Sequence, residues 1–162
     1  MTEKNAWKFR PGSDENIVLE VLKTGCIRLD YKTTGLNSRM TIDELTEALR
    51  SGNPENLEMG LRMLARQIDT ILSKVKKGDV ALVPRERGKF MMIGEVVSDR
   101  PSIKGSALEV KVNWLDPKVP LARFDLDLRH SFKAIHKFCG VSRNGAVQRI
   151  LKISEGEADP GY

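Results

Sequence analysis

The sequence predicts an α+β protein in which five to six strands curl into a small β-barrel with flanking helices. Three apolar runs within residues 78–115 carry this prediction. Residues 80–83 and 90–97 are rich in β-branched side chains, and a polar, Gly-containing connector joins them, which indicates a hairpin with a longer loop. Residues 108–114 alternate between apolar and polar with period two, so they predict a third strand with one apolar face.

The N-terminal third predicts two further strands that enclose a helix. Residues 7–10 alternate and are followed by a Pro-Gly turn, which is typical of a short strand. Ser13 or Asp14 can cap a helix for which Gly25 supplies the stop. Residues 26–31 then predict the second strand.

Two more helices are expected between the second strand and the hairpin. Thr41 and Glu44 have the spacing of a capping box, and this helix is expected to end near residue 50. Asn53 followed by Pro54 has the composition of a helix start, which predicts a long helix to about residue 74.

The C-terminal part is predicted from weaker signals. Residues 116–120 are bracketed by prolines and are interpreted as a connection, and residues 124–138 as an amphipathic helix. Residues 146–153 are interpreted as a closing strand. The composition of residues 155–162 is that of a disordered tail, so residues 1–154 are predicted to form a single domain.

Composition limits the class of protein. In 162 residues, 40% are hydrophobic and 30% charged, as in soluble globular proteins. No apolar run approaches the roughly 20 residues of a membrane span, and no secretory signal precedes the first strand. The two cysteines, Cys26 and Cys139, are not in a CxxC pair, so we expect reduced thiols and a cytoplasmic location.

Positive charge is concentrated in the β-rich half. Residues 79–154 contain 14 Lys and Arg against 8 Asp and Glu, whereas the whole chain has a net charge of +5. The connectors of the central sheet carry Arg85, Arg87, Lys89, Arg100 and Lys104. A basic surface on loops indicates a polyanion as partner, with ordinary solvation as the alternative.

Motifs of catalysis are sparse. The sequence has no Walker motif, GxSxG elbow or His-Glu-x-x-His helix, and no cofactor or metal is predicted. One enzymatic alternative remains open. Asp99, Glu109 and Lys111 have the outline of a D…(D/E)xK nuclease, in which two carboxylates hold Mg²⁺ and a lysine supports the attacking water.

Aromatic residues stand at the ends of predicted strands, namely Trp7, Tyr31, Phe90 and Trp114. Such a residue can close the end of a core. It can also provide a stacking surface for a base of a nucleic acid. Nearby cations would then hold the phosphates of the nucleic-acid backbone.

Several short motifs occur in a fixed order along the chain. These are Trp7-x-x-Arg10-Pro-Gly12, GCIRLDY at residues 25–31, GDVALV at residues 78–83, IGEV at residues 93–96 and VNWL at residues 112–115. Their order and spacing resemble the N-terminal domain of Mrr-type modification-dependent restriction endonucleases, over residues 7–153. That domain belongs to the PUA-like superfamily, which includes EVE and YTH domains.

The resemblance implies a PUA-like barrel that binds nucleic acid and accepts a flipped, modified base in an aromatic pocket. It implies base contacts by Trp7, Arg10, Ser13, Asp30, Tyr31 and Trp114. The loop cations named above, from Arg85 to Lys104, would hold phosphates. The strand that commonly ends Ile-Gly-Trp in the family ends Leu29-Asp30-Tyr31 here, so Tyr31 would replace the tryptophan.

The expected function is therefore that of a non-catalytic reader of modified double-stranded DNA in defence against foreign DNA. The family's nuclease domain, usually C-terminal, does not follow residue 154. The chain is thus expected to be an excised domain or a free-standing reader that works with a fused or separate nuclease effector. The alternatives are the Mg²⁺-dependent nuclease and a PUA-like module that binds RNA or protein.

Overall fold

In the computed structural model, which describes residues 3–161, the chain forms seven strands and five α-helices. In chain order these elements are β1 (Ala6–Phe9), α1 (Glu15–Thr24), β2 (Cys26–Asp30), α2 (Ile42–Arg50), α3 (Glu58–Lys74), β3 (Val80–Arg85), β4 (Phe90–Val96), β5 (Ser102–Lys104), β6 (Ala107–Pro120), α4 (Leu126–Phe132), β7 (Phe138–Gly140) and α5 (Ala146–Ser154). Met1, Thr2 and Tyr162, which the predicted domain and tail include, lie outside the described residues.

The strands form one strongly curled half-barrel, so the predicted α+β fold with a small curled sheet is confirmed. Six strands lie in the order β2-β6-β4-β3-β1-β7, and the short β5 pairs with β6 outside that path. Neighbouring strands are antiparallel except β1 and β3, which are parallel. The register of β4 on β6 shifts twice between Met91 and Gly94, and such irregularities bend a sheet.

Helices cover both faces of the sheet, and each face has its own apolar core. The larger core lies under α1, α2 and α3 and includes Ile27, Leu49 and Ile68. The smaller core lies under α4 and α5 and includes Leu128 and Ile150. Because both faces are covered, β1 is buried at all four of its positions, and its alternation does not separate a core face from a solvent face.

The predicted caps of α1 and the predicted start of α2 are confirmed. The Asp14 carboxylate accepts a hydrogen bond from Asn16 N, and Gly25 ends α1 in the left-handed conformation with φ 68°. Thr41 and Glu44 form both bonds of the capping box. The predicted start of α3 is wrong, since the helix begins at Glu58 and the Asn53 side chain instead donates to the carbonyls of Tyr31 and Leu49.

The C-terminal predictions are corrected in three places. Residues 116–120 are the second half of β6 rather than a connection, and they pair with β4 across its irregular register. The helix predicted over residues 124–138 is confined to Leu126–Phe132. Residues 146–153 form helix α5 rather than a closing strand, because its buried positions Ala146, Ile150 and Ile153 recur with helical spacing on the smaller core.

The tail was expected to be disordered, but residues 155–161 fold back on α4 and α5. Arg149 is buried and donates to the carboxylates of both Asp127 (Nη1 to Oδ2, 2.6 Å) and Asp159 (Nε to Oδ1, 2.8 Å). The hydrogen bonds from Arg149 hold the pKa of Asp127 well below its usual range. The low hydrophobicity of the tail predicts disorder, but the ion pair to a residue inside α5 supplies a contact that composition does not reveal.

No helix among residues 3–161 is both long and apolar enough to cross a membrane.

A buried carboxylate joins β1, β3 and the end of α3. Asp79 is fully buried and accepts four hydrogen bonds, from Asn5 N (3.1 Å), Trp7 Nε1 (2.8 Å), Lys76 N (3.1 Å) and Lys76 Nζ (3.2 Å). A buried charge is tolerated where hydrogen bonds and a partner of opposite charge replace the water that it loses. Asp79 therefore fixes the position of Trp7 and the register of β1 beside β3.

We expect Asp79→Asn to lower the free energy of unfolding by about 3 kcal/mol, because its amide nitrogen would face buried N–H donors that the carboxylate now satisfies. Urea unfolding followed by circular dichroism measures the change. Asp99→Asn is the matched control, since Asp99 is exposed and forms no hydrogen bond among the described residues; its change should stay within about 0.5 kcal/mol. Equal stabilities of the two variants would contradict the assigned role.

Candidate functional site

A cleft of about 680 Å³ opens where β1 ends. It lies between the N-terminus of α1, the β3–β4 turn and the segment that follows α4. We call it the basic cleft, because its lining includes five cations and only two carboxylates. The cations are Lys8, Arg10, Arg87, Arg129 and Lys133, and the carboxylates are Glu15 and Glu86. Cations on facing walls of a concave site attract anions and raise their local concentration.

Lys8 forms the inner wall of the basic cleft. Its side chain is 1% exposed, and its ammonium donates to the carbonyl oxygens of Phe132 and Ala134 at the end of α4. A cation at this place satisfies carbonyls that the helix leaves free and opposes the negative end of its dipole. Burial lowers the pKa of Lys8. The ammonium therefore adds positive charge at the inner end of the cleft.

The β3–β4 turn forms the opposite wall in an unusual backbone conformation. Three successive residues have positive φ: Glu86 at 48°, Arg87 at 60° and Gly88 at 83°. Such conformations are costly for residues other than glycine and occur often at ligand sites. Glu15 at the start of α1 holds this turn, because its carboxylate accepts from Glu86 N at 3.1 Å and lies 3.6 Å from Arg85 Nε.

The rim of the basic cleft is exposed and positively charged. Arg10 donates to the carbonyl of Ile135 at 3.3 Å, which directs its guanidinium along the segment after α4. Arg87 and Lys133 are exposed and form no ion pair among the described residues. Arg129 is held by the carbonyls of Phe124 and Ala122, so it contributes charge from a fixed position.

The structure brings together only two of the six base-binding residues predicted from the family resemblance. Arg10 and Ser13 both line the basic cleft. Asp30 lies at the exposed end of β2, where its carboxylate accepts from Lys32 N and Ser106 Oγ. The hydrogen bond from Lys32 N lowers the pKa of Asp30.

Trp7 and Tyr31 do not form the aromatic pocket that the resemblance implies, because both residues are part of the larger core. Tyr31 is 1% exposed, its hydroxyl donates to Gln67 Oε1 at 3.0 Å, and burial raises its pKa. The ring of Trp7 stacks on Phe138 with centroids 5.2 Å apart and is 8% exposed. Trp114, the third aromatic residue expected to contact the base, lies half-buried over Gly94 on β4. The aromatic side chains therefore close the core rather than enclose a base.

The predicted phosphate-binding residues divide between the two ends of the sheet. Arg85, Arg87 and Lys89 lie in or beside the β3–β4 turn, and Arg87 lines the basic cleft. Arg100 precedes β5 and Lys104 is its last residue. This strand pairs with the first residues of β6, whereas the β3–β4 turn lies beside the last residues of β6. The sequence places all five on connectors but does not say which end of the sheet each connector occupies.

Three cations of the basic cleft were missed, namely Lys8, Arg129 and Lys133. In an alternating strand a lysine is usually solvated, so the sequence gives no sign that α4 covers Lys8 and buries it. Arg129 and Lys133 fall within the predicted C-terminal helix, where a cation is usually an ordinary solvated surface residue.

The alternative nuclease triad gains no support from the arrangement of its members. Glu109 lies on β6 and pairs with Arg28 of β2 at 3.2 Å. Asp99 lines a separate cavity with Lys76 and Arg100. Among residues 3–161, no group of three or more His, Cys, Asp or Glu side chains is placed to hold a metal ion.

Residues 7–138 match the family described as a domain of unknown function (DUF8426). Since the match covers well over half of the chain, the protein belongs to this family. No curated protein matches the chain. All residues that line the basic cleft fall within the matched range, whereas α5 and the tail lie outside it.

We expect Lys8→Met to lower the free energy of unfolding by about 2 kcal/mol, because the carbonyls of Phe132 and Ala134 would remain buried without a donor. Denaturant unfolding measures the loss, and faster amide hydrogen exchange in α4 locates it. Lys89→Met, at an exposed position in the β3–β4 turn, should leave both measurements unchanged. Normal exchange in α4 of the Lys8 variant would show that the ammonium does not cap the helix.

Proposed function

We propose that this chain is a non-catalytic nucleic-acid reader whose basic cleft receives a flipped, modified base of double-stranded DNA together with its flanking phosphates. The observation that supports the proposal is the excess of five cations over two carboxylates in one cleft of about 680 Å³. That volume is in the usual range of ligand sites. Phosphate contacts supply much of the affinity in protein–DNA complexes.

The rim of the basic cleft suits the DNA backbone. Arg10, Arg87 and Lys133 would bind successive phosphates, because all three line the cleft and none of them forms an ion pair among the described residues. The first turn of α1 adds the positive end of a helix dipole. Lys8 would add positive charge at the inner wall of the cleft.

The interior of the basic cleft suits a base. Val18, Met91, Leu121 and Phe132 line it with apolar atoms. Ser13 and Glu86 stand beside them, and a hydroxyl and a carboxylate can pair with the donors and acceptors on the edge of a base. Flipping costs a few kcal/mol, which these contacts and the phosphate contacts would offset. The base would rest on aliphatic and aromatic edges rather than between two rings.

The role in defence follows from the family resemblance to modification-dependent restriction endonucleases. A nuclease, fused or separate, would act on DNA that this chain has bound. We place the protein in the cytoplasm, where its two free thiols, Cys26 and Cys139, would remain reduced.

The double variant Arg87→Gln/Lys133→Gln should bind a modified duplex at least tenfold more weakly at physiological salt, since two phosphate contacts are lost. Fluorescence anisotropy with matched duplexes measures this, with cytosine unmodified, methylated, hydroxymethylated or glucosylated, and with N6-methyladenine. The slope of log K against log salt should also decrease by about 1.8.

Arg100→Gln/Lys104→Gln is the matched control, because it removes the same charge from exposed positions at the other end of the sheet. It should bind like the wild-type chain. Equal losses of affinity in both double variants would show that DNA binding depends on general surface charge and not on the basic cleft. A preference for RNA of the same sequence would favour the RNA-binding alternative, and equal binding of every duplex would contradict a reader of modification.

A further inference from the structure

A second groove, of about 490 Å³, runs between α3 and β7 and has no lining residue in common with the basic cleft. We call it the α3–β7 groove. Trp7, Phe138 and Gly140 form its floor and its strand side, and Met59, Met63 and Arg66 of α3 form its helix side. Trp7 and Gly140 also line a neighbouring cavity of about 700 Å³, so the groove continues past the end of β7.

The strand side of the groove is a sheet edge with free backbone groups. β7 is the last strand of the path and pairs only with β1 in the described residues. Arg10 N donates to Lys137 O, and Val141 N donates to Ala6 O. In an antiparallel ladder these bonds alternate, so the N–H and C=O groups of Phe138 and Gly140 point away from β1. They accept or donate no other hydrogen bond among the described residues.

The helix side of the groove exposes large apolar side chains. Met59 is 85% exposed and Met63 is 47% exposed, and both lie on the same face of α3, one turn apart. Methionine is flexible and polarisable, and surfaces that bind peptides use it often. One added strand would cover the exposed apolar side chains and would also pair with the free edge of β7.

The charges of the groove are of one sign. Arg62 and Arg66 line it, and no carboxylate does among the described residues. Arg62 already pairs with Asp43 and Glu58, whereas Arg66 forms no ion pair in the described part of the chain. An occupant with acidic residues would therefore be favoured over a basic one.

We propose that the α3–β7 groove binds an extended, acidic segment of a partner protein, which adds to β7 as a further strand. The free N–H and C=O groups of Phe138 and Gly140 would pair with the backbone of that segment, as in other complexes formed by strand addition. Alternate side chains would then enter the groove, where an apolar one contacts Met59, Met63 and the edge of Trp7. A β-strand offers N–H and C=O groups at the matching spacing, and a nucleic-acid backbone does not.

Gly140 is suited to this approach, because it has no side chain at the point where the partner would lie. A Cβ atom there would be 3.2 Å from Trp7 Cζ3, so a larger residue would displace the ring or narrow the groove. The proposal is independent of DNA binding in the basic cleft and concerns a different set of residues.

The test uses the whole chain and a phage-displayed library of nine-residue peptides, with acidic residues fixed at both ends and random positions between. The best binder is synthesised with and without N-methyl groups on its central amides, and anisotropy gives the affinities. N-methylation should weaken binding at least tenfold, because strand addition needs those N–H groups. Hydrogen exchange should slow at the amides of Phe138 and Gly140 when the unmodified peptide is bound.

Met59→Gln/Met63→Gln should weaken the same peptide at least tenfold. Leu19→Gln/Leu126→Gln is the matched control, because it makes the same polar change at exposed apolar positions on α1 and α4, and it should bind within twofold of the wild-type chain. A library that enriches no peptide would overturn the proposal, as would equal affinities of the methylated and unmethylated peptides. Protection of the Phe138 and Gly140 amides by a single-stranded oligonucleotide, but by no peptide, would assign the groove to nucleic acid instead.

Discussion

The burial of the Asp79 carboxylate is the constraint on which the position of β1 depends. Asp79 lies at the start of β3 and binds the indole N–H of Trp7 and the backbone of Asn5, so β1 can lie beside β3 only in one parallel register. Slipping β1 by one residue would leave a charged oxygen and an indole N–H without partners inside the larger core, at a cost of several kcal/mol. Lys8 follows Trp7 in β1, so its side chain points to the opposite face of the sheet, where it binds the end of α4. Two adjacent residues of one short strand thus hold the two helical layers to the sheet.

Both proposed binding surfaces depend on that placement. Where β1 ends, the β3–β4 turn and the end of α4 come together, and the cations of these three regions surround one cleft. On its other edge β1 pairs with β7, which has no strand beyond it in the described residues, and α3 covers the adjacent core without covering that edge. A nucleic acid in the basic cleft and a peptide strand in the α3–β7 groove would therefore contact the same short strand without competing for residues. With the proposed function, this arrangement would let the chain bind an effector while it holds DNA.

The parts of the fold that could be predicted from the sequence are those fixed by nearby residues. The cap at Asp14, the stop at Gly25 and the capping box of Thr41 and Glu44 involve atoms a few positions apart, and the hairpin of β3 and β4 is a local pairing. The errors share a different cause. Asn53 is a good helix cap in isolation, but the buried carbonyls of Tyr31 and Leu49 use its side chain. Likewise, the aromatic residues at the ends of strands have the pattern of a stacking site. The structure shows that α3 packs over Tyr31 and buries it, which the pattern does not reveal. Sequence identified the type of residue at the candidate site, whereas the long-range arrangement decided which residues meet.

The most direct test of the central claim, that nucleic acid occupies the basic cleft, is a map of amide chemical shifts. The ¹⁵N-labelled chain would be titrated with a short duplex that carries the preferred modification, at fixed salt. The account predicts that the largest shifts fall on Ser13, Glu15, Gly88 and Ile135, which line the basic cleft, while Gly105 at the far end of the sheet stays unchanged. Shifts centred on Arg100, Lys104 and Gly105, with the four residues of the cleft unmoved, would contradict it.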